Sequence, residues 1–440
     1  MIRLLHAVVV GVYAILPVAA LAAAVVRRAR RDSPDARPRS VADARAEAVV
    51  RFVLTCISGT AMGVTLCLVY ARATGGKTIW SQVALASYFG TGLLLLLKGL
   101  DRVLRAGIPR LLRVRRDRAG KAVDPRAERS ELAFVLRVLM LFGLGLPYVM
   151  AAVMTYRPKV GPGDDPMSEL RAPFERVWFN STDGLRLSGW WIPALPQRSA
   201  SRSSVGSKDW GKKTVIVCHG LAASKSNHLT LAKDLVPNGY NVLIFDFRAH
   251  GESGGQLTTF GDLERRDVLG AVRWVRANKA GESKRLLGLG VSMGAAALIA
   301  AAADDSPEGK AIDAVAVYGT YDALGPLVKT MADSYFVPPV NWLAVHVGLP
   351  LASVQTGRDL AAFSPAAEIG KLWPRPVLVI HGVADGTIDF NRGEALYEAA
   401  SPPKYNYWVT GAGHNDVIEN PNASKAVRVF FETAEPVPVI

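Results

Sequence analysis

Gly290-Val291-Ser292-Met293-Gly294 lies between an apolar run, Arg285–Leu289, and an alanine-rich run, Ala295–Ala303. This junction constrains the fold of the 440-residue chain more than any other stretch. The first run reads as a buried strand and the second as the opening turns of a packed helix. A sharp strand-to-helix turn leaves no room for a Cβ at the flanking positions, which explains the two glycines. It also lifts the serine hydroxyl out at the end of the strand, where a substrate can reach it.

A serine is a weak nucleophile at neutral pH and needs a base oriented by an acid. Both follow in the chain. Pro376-Val377-Leu378-Val379-Ile380-His381-Gly382 reads as another buried strand, and Asp385 falls in the turn just past it. Tyr405–Thr410 then leads into Gly411-Ala412-Gly413-His414. In the order Ser292, Asp385, His414, the histidine takes the serine proton, and the aspartate fixes its tautomer and stabilises the imidazolium. Asp322 and Asp389 are the rivals for the acid.

Two further stretches complete a series. Thr214–Cys218 reads as a buried strand followed at once by His219-Gly220-Leu221, and Asp246-Phe247-Arg248-Ala249-His250-Gly251-Glu252-Ser253 follows a fourth strand. With the serine turn, His381-Gly382-Val383-Ala384-Asp385 and Gly411-Ala412-Gly413-His414, these motifs resemble the α/β-hydrolase superfamily over about 174–432. Ala249 stands where that family usually has glycine. The chain looks most like its membrane-associated serine hydrolases and dipeptidyl-peptidase-like esterases, in which a Ser-Pro pair, here Ser364-Pro365, also precedes the acid-bearing strand. The resemblance implies an α/β fold with a mostly parallel eight-stranded sheet flanked by helices. It also implies an oxyanion hole made by the backbone N–H groups of Leu221 and Met293, each such donor being worth about 3–4 kcal/mol in the transition state. A small cap is expected at 321–364, a segment carrying Tyr335, Phe336, Trp342 and Leu349. His219 and His381 read as structural histidines, and His250, Asp246 and Arg248 as a network bracing a loop.

Charge divides the chain. Residues 1–160 hold 25 Lys/Arg against 9 Asp/Glu, and residues 161–440 hold 27 against 29, so the excess of basic residues lies in the first part. There it alternates with apolar stretches, a membrane pattern rather than a nucleic-acid footprint. Leu4–Val26, Phe52–Tyr70, Ile79–Leu97 and Leu132–Met154 are each long enough to cross a bilayer core, which takes about 20 helical residues. A cleaved signal peptide is the alternative for the first, but its apolar run ends at Arg27-Arg28 in the manner of an anchor. The loop 27–51 carries eight arginines and the loop 98–131 eleven Lys/Arg, against two in 71–78. Basic loops stay in the cytoplasm, which puts both termini outside it. The expected organisation is a transmembrane region at 1–157, a polar linker at 158–173 and a hydrolase domain at 174–440. Cys56, Cys67 and Cys218 read as small buried hydrophobes.

No metal-ligand spacing, phosphate loop or dinucleotide fingerprint is visible, so no cofactor is expected. A serine at the turn excludes the branches of the superfamily that use an aspartate nucleophile. The expected activity is hydrolysis of carboxylic esters or thioesters, with lipid-like acyl groups presented by the membrane. A serine peptidase of the prolyl-oligopeptidase type and a catalytically inactive membrane scaffold are the alternatives; the first normally carries a gating domain that this chain has no repeat to build.

Overall fold

The computed structural model describes residues 146–156, 159, 161, 163–196 and 212–433, with a few helical residues between Val50 and Val64. The chain divides into two compact units, Met1–Gly145 and Leu146–Ile440. Among the described residues the second holds one sheet.

Eight strands build it: β1 (Glu175–Asn180), β2 (Arg186–Ile192), β3 (Lys213–Cys218), β4 (Tyr240–Phe245), β5 (Arg285–Val291), β6 (Ala314–Tyr318), β7 (Val377–Gly382) and β8 (Lys404–Val409). Their order across the sheet is β1-β2-β4-β3-β5-β6-β7-β8. β1, β2 and β4 pair antiparallel, and every pairing from β4 through β8 is parallel. Both faces of the central strands are covered, so from β3 to β7 every position but Lys213 and Arg285 is buried. In β3, Ile216 and Cys218 enter one core while Val215 and Val217 enter the other, the two-residue period of a strand.

The helices used below are α1 (Leu146–Thr155), α2 (Arg265–Asn278), α3 (Met293–Ala302), α4 (Leu324–Tyr335), α5 (Leu349–Thr356), α6 (Phe390–Ala399) and α7 (Pro421–Thr433). α2, α3 and α6 contribute to the core on one face of the sheet, and α7 with the short helix Leu229–Lys233 to the core on the other. Every residue of α3 is buried. Its alanines Ala295 and Ala297 meet the first core, whereas Ala296 and Ala300 join a third cluster with Leu324, Leu349 and Ile388. A helix covered on all sides has room for little beyond methyl groups, hence the alanine run.

The segment expected as a cap holds α4, the one-turn helix Val340–Leu343, a π-helical turn Ala344–Gly348 and α5. The linker holds one ordered turn, Pro166–Leu170, whose first N–H groups are capped by the Asp165 carboxylate. The apolar stretches Leu4–Val26 and Ile79–Leu97, and nearly all of Phe52–Tyr70, lie outside the described residues. So does 132–145 of the fourth. Among the described residues no helix is long and apolar enough to cross a membrane. The last residues of the fourth stretch form α1, which belongs to the second unit and packs on α5.

Candidate active site

The candidate residues all project from the C-terminal ends of the parallel strands, where α/β sheets bind their ligands. Ser292 directly follows β5 with φ 52° and ψ −118°, a conformation few non-glycine residues adopt. The turn is compressed from both sides. A Cβ on Gly290 would lie 2.5 Å from the Cα of Ala295, and one on Gly294 would lie 2.4 Å from the carbonyl oxygens of Cys218 and His219. Both glycines are therefore steric necessities. The Ser292 N–H donates to the Tyr318 carbonyl at 2.9 Å, and the Thr320 hydroxyl donates to the Ser292 carbonyl at 2.9 Å. Two bonds from the end of β6 hold the turn in its strained form.

Asp385 follows β7 and is buried. Its Oδ1 accepts from the Thr387 and Ile388 N–H groups at 2.8 and 2.9 Å, and its Oδ2 lies 2.7 Å from His414 Nδ1. Burial works against charge on this carboxylate, but hydrogen bonds from His381, His414 and Ile388 outweigh it and hold its pKa well below the usual carboxylate range. Of the three candidate carboxylates, Asp385 is thus the one that meets His414. The Asp322 carboxylate is instead engaged by Arg392 Nη1 at 2.9 Å, and Asp389 sits at the start of α6.

Gly319 brings these groups together with the serine turn. It has φ +49°, and a Cβ there would lie 3.3 Å from His414 Nδ1 and 3.7 Å from Asp385 Oδ2. Gly220 does the same for the loop after β3, where a Cβ would lie 3.6 Å from the Cβ of Ser292. His219 is fully buried beneath that loop. Its Nε2 accepts from the Phe247 N–H at 3.0 Å, so the ring proton is on Nδ1, which donates to the Gly220 carbonyl at 2.7 Å. In a trans peptide the next N–H points the opposite way, so holding the Gly220 oxygen fixes the direction of the Leu221 N–H. The Leu221 and Met293 N–H groups meet no acceptor among the described residues. Burial, reinforced by the neighbouring His250, pushes the His219 pKa well below the ordinary histidine value, so the ring stays neutral.

The loop residues after β4 brace the site through two separate ion clusters. Asp246 is fully buried and accepts from the Lys225 N–H at 2.8 Å and from Lys225 Nζ at 2.5 Å; Nζ also lies 2.7 Å from Glu252. Arg248 makes paired bonds to Asp267 and to Asp183 instead. His250 joins the loops, accepting from the Ala222 N–H at 3.2 Å while its Nδ1 faces the Arg248 carbonyl at 2.8 Å. Ala249 adopts φ +61°, the left-handed region that explains the glycine expected there. His381 is closer to the chemistry than a core histidine needs to be: its Nε2 lies 2.9 Å from the Ile388 carbonyl and 3.4 Å from Asp385 Oδ2. Sequence reasoning missed Thr320, Gly319 and Lys225; the Tyr318-Gly319-Thr320 strand end was the available signal for the first two. Among the described residues no group of three or more His, Cys, Asp or Glu side chains could hold a metal ion.

An eight-stranded, mostly parallel sheet with a serine on a strained strand-to-helix turn and an Asp–His pair from the last strands defines a class. Residues 211–348 match the family described as serine aminopeptidase, S33. The chain belongs to the α/β-hydrolase superfamily. Among its relatives, Rv2307c of Mycobacterium tuberculosis is 30% identical over 285 residues, which span 64% of this chain and 87% of that protein. YfhR of Escherichia coli strain K12 is 28% identical over 290 residues, 66% of this chain and 89% of its own. Of solved structures, the Pyrococcus furiosus esterase Pf2001 superposes with a TM-score of 0.51 at 27% identity, over 64% of this chain and 98% of that one.

Proposed function

We propose that the chain is a serine hydrolase that cleaves carboxylic esters or thioesters through an acyl-enzyme, with Ser292 as nucleophile, His414 as base and Asp385 as the orienting acid. The observation that carries this reading is the Asp385–His414 hydrogen bond of 2.7 Å, made through Nδ1. It commits the ring proton to Nδ1 and leaves Nε2 free as the acceptor for the Ser292 hydroxyl proton. Ser292 Oγ then adds to the substrate carbonyl, and the carbonyl oxygen becomes an oxyanion facing the Leu221 and Met293 N–H groups. The proton on His414 passes to the departing alkoxide or thiolate. Water, deprotonated by the same nitrogen, hydrolyses the acyl-Ser292 bond and restores the starting state.

The relatedness to an esterase supports ester substrates, and the family description keeps a peptidase as the second reading. The four apolar stretches of the sequence further support a membrane tether with the hydrolase domain outside the cytoplasm, and lipid-like acyl esters as substrates. Turnover by the full-length protein should be measured on p-nitrophenyl esters of increasing chain length beside aminoacyl and peptidyl amides. Ester turnover that rises with chain length, and that Ser292→Ala lowers by about 10⁴-fold or more, is expected. Amide turnover exceeding ester turnover would favour the peptidase.

A further inference from the structure

The cap leaves an apolar surface uncovered. Every residue from Asp333 to Pro339 is exposed, and the run includes Tyr335, Phe336 and Val337 at 66%, 42% and 74% exposure. Trp342 follows at 56%, and on α5 Val354 reaches 79%. Isolated apolar residues on a surface need no explanation, but aromatic and aliphatic side chains gathered on one small subdomain do.

The chain outside the described residues identifies the partner. α1 is the end of the apolar stretch Leu132–Met154, and its Pro147, Ala151 and Thr155 are buried in the second unit. Ala151 shares a cluster with Leu349 and Ala352 of α5, and the Thr155 hydroxyl donates to Gln355 at 3.0 Å. A hydrocarbon core of about 30 Å takes about 20 helical residues, and the stretch Leu132–Met154 reaches that length only with α1 included. The stretch can span only if α1 enters the bilayer, and α1 takes with it the helices on which it is docked. Tyr148 and Val153 on the other side of α1 are exposed and apolar, as contact with lipid requires.

We propose that the cap is seated in the outer surface of the bilayer, with Tyr335, Phe336, Val337, Trp342 and Val354 in contact with lipid. This rests on the membrane tether proposed above. Tryptophan and tyrosine suit the headgroup level, and phenylalanine and valine the layer just beneath. A cap held there presents the site to acyl esters that have not left the membrane.

The test uses the full-length protein in phosphatidylcholine vesicles, with Cys56→Ser and Cys67→Ser to remove competing thiols. An environment-sensitive fluorophore is placed at Phe336→Cys, Val354→Cys or, as a control on β1, Trp178→Cys. The cap labels should be quenched by nitroxide lipids and shielded from iodide, and the Trp178 label should behave in the opposite way. Cap labels as open to iodide as the control, in protein that resists carbonate extraction, would overturn the proposal and leave the tether standing. Protein extracted by carbonate would overturn both. Phe336→Ser with Val354→Ser should also lower turnover of a vesicle-borne ester about tenfold and leave a water-soluble acetate ester within about twofold. Equal losses on the two substrates would count against a lipid-facing role.

Discussion

Asp385 receives four converging donors and still lies beside a histidine that must become cationic during turnover. Because its pKa is held well below the usual carboxylate range, it remains ionised throughout the range in which an imidazole titrates. Asp385 should therefore add no ionisation of its own to the acid limb of kcat/KM; a limb that takes up two protons would contradict the assignment. Asp385→Asn should cost about 10⁴ in kcat by reversing the His414 tautomer, as the loss of a triad aspartate typically does. Asp322→Asn should cost less than tenfold, since that carboxylate is committed to Arg392. Steady-state kinetics on one ester decide between the two, and a crippling Asp322 variant would move the acid to the end of β6. The order serine, acid, histidine was legible because each residue sits just past an apolar run with glycines beside it. His381 was legible only as a residue type, since its approach to Asp385 depends on how the chain turns back through Ile388.

Strand ends supply the geometry at the next scale. The ends of β5, β6, β7 and β8 are stitched laterally by Ser292 N–H to Tyr318, Gly319 N–H to Ile380 and Val383 N–H to Val409, at 2.9, 2.9 and 3.0 Å. Residues 26 to 61 positions apart are thereby fixed to within bonding distance, the condition for orientation to lower a barrier. Gly319→Ala puts a Cβ against His414 Nδ1 at a left-handed position, so the imidazole must move. The expected loss is about 10²-fold in kcat with a folded protein, measured by kinetics beside far-UV circular dichroism. Unchanged kcat would mean that His414 does not occupy this position during turnover. β3, β5 and β7 were legible as short apolar runs, the mark of strands buried on both faces. The pairing of Lys225 with Asp246, or Arg248 with Asp183, was not, because ion pairs closed across 21 and 65 residues leave no local pattern. Likewise α1 reads in sequence as the end of a span. Its buried face of Pro147, Ala151 and Thr155 is no more apolar than its exposed one, so hydropathy alone cannot reveal the docking on α5.

At the scale of the whole molecule, the hydrolase unit carries buried histidines that resist protonation. Burial lowers the His228 pKa to about 4 from 6.5, and burial together with His250 holds that of His219 well below the ordinary histidine value. The unfolded chain takes up these protons near pH 6.5 and the folded chain does not. Stability present at pH 7 is thus lost as the pH falls from about 6.5 toward 4, by up to about 1.4 kcal/mol per pH unit for each group. Asp385 has a depressed carboxylate pKa, so its own contribution fails only at more acid pH and lies outside this window. Thermal inactivation of the full-length protein should accelerate between pH 6.5 and 4.5, and His228→Gln should flatten that dependence. A profile unaltered by the substitution would place the loss elsewhere. The division of charge between a basic first part and a nearly balanced second part was visible at once, and it motivates the tether. The most direct test of the account is stoichiometric labelling of the full-length protein by a fluorophosphonate, followed by peptide mass mapping. One adduct per chain on Ser292 is expected, absent from Ser292→Ala and formed at least 10²-fold more slowly in His414→Ala. A folded protein that takes no label, or takes it on another residue, would contradict Ser292 as the nucleophile.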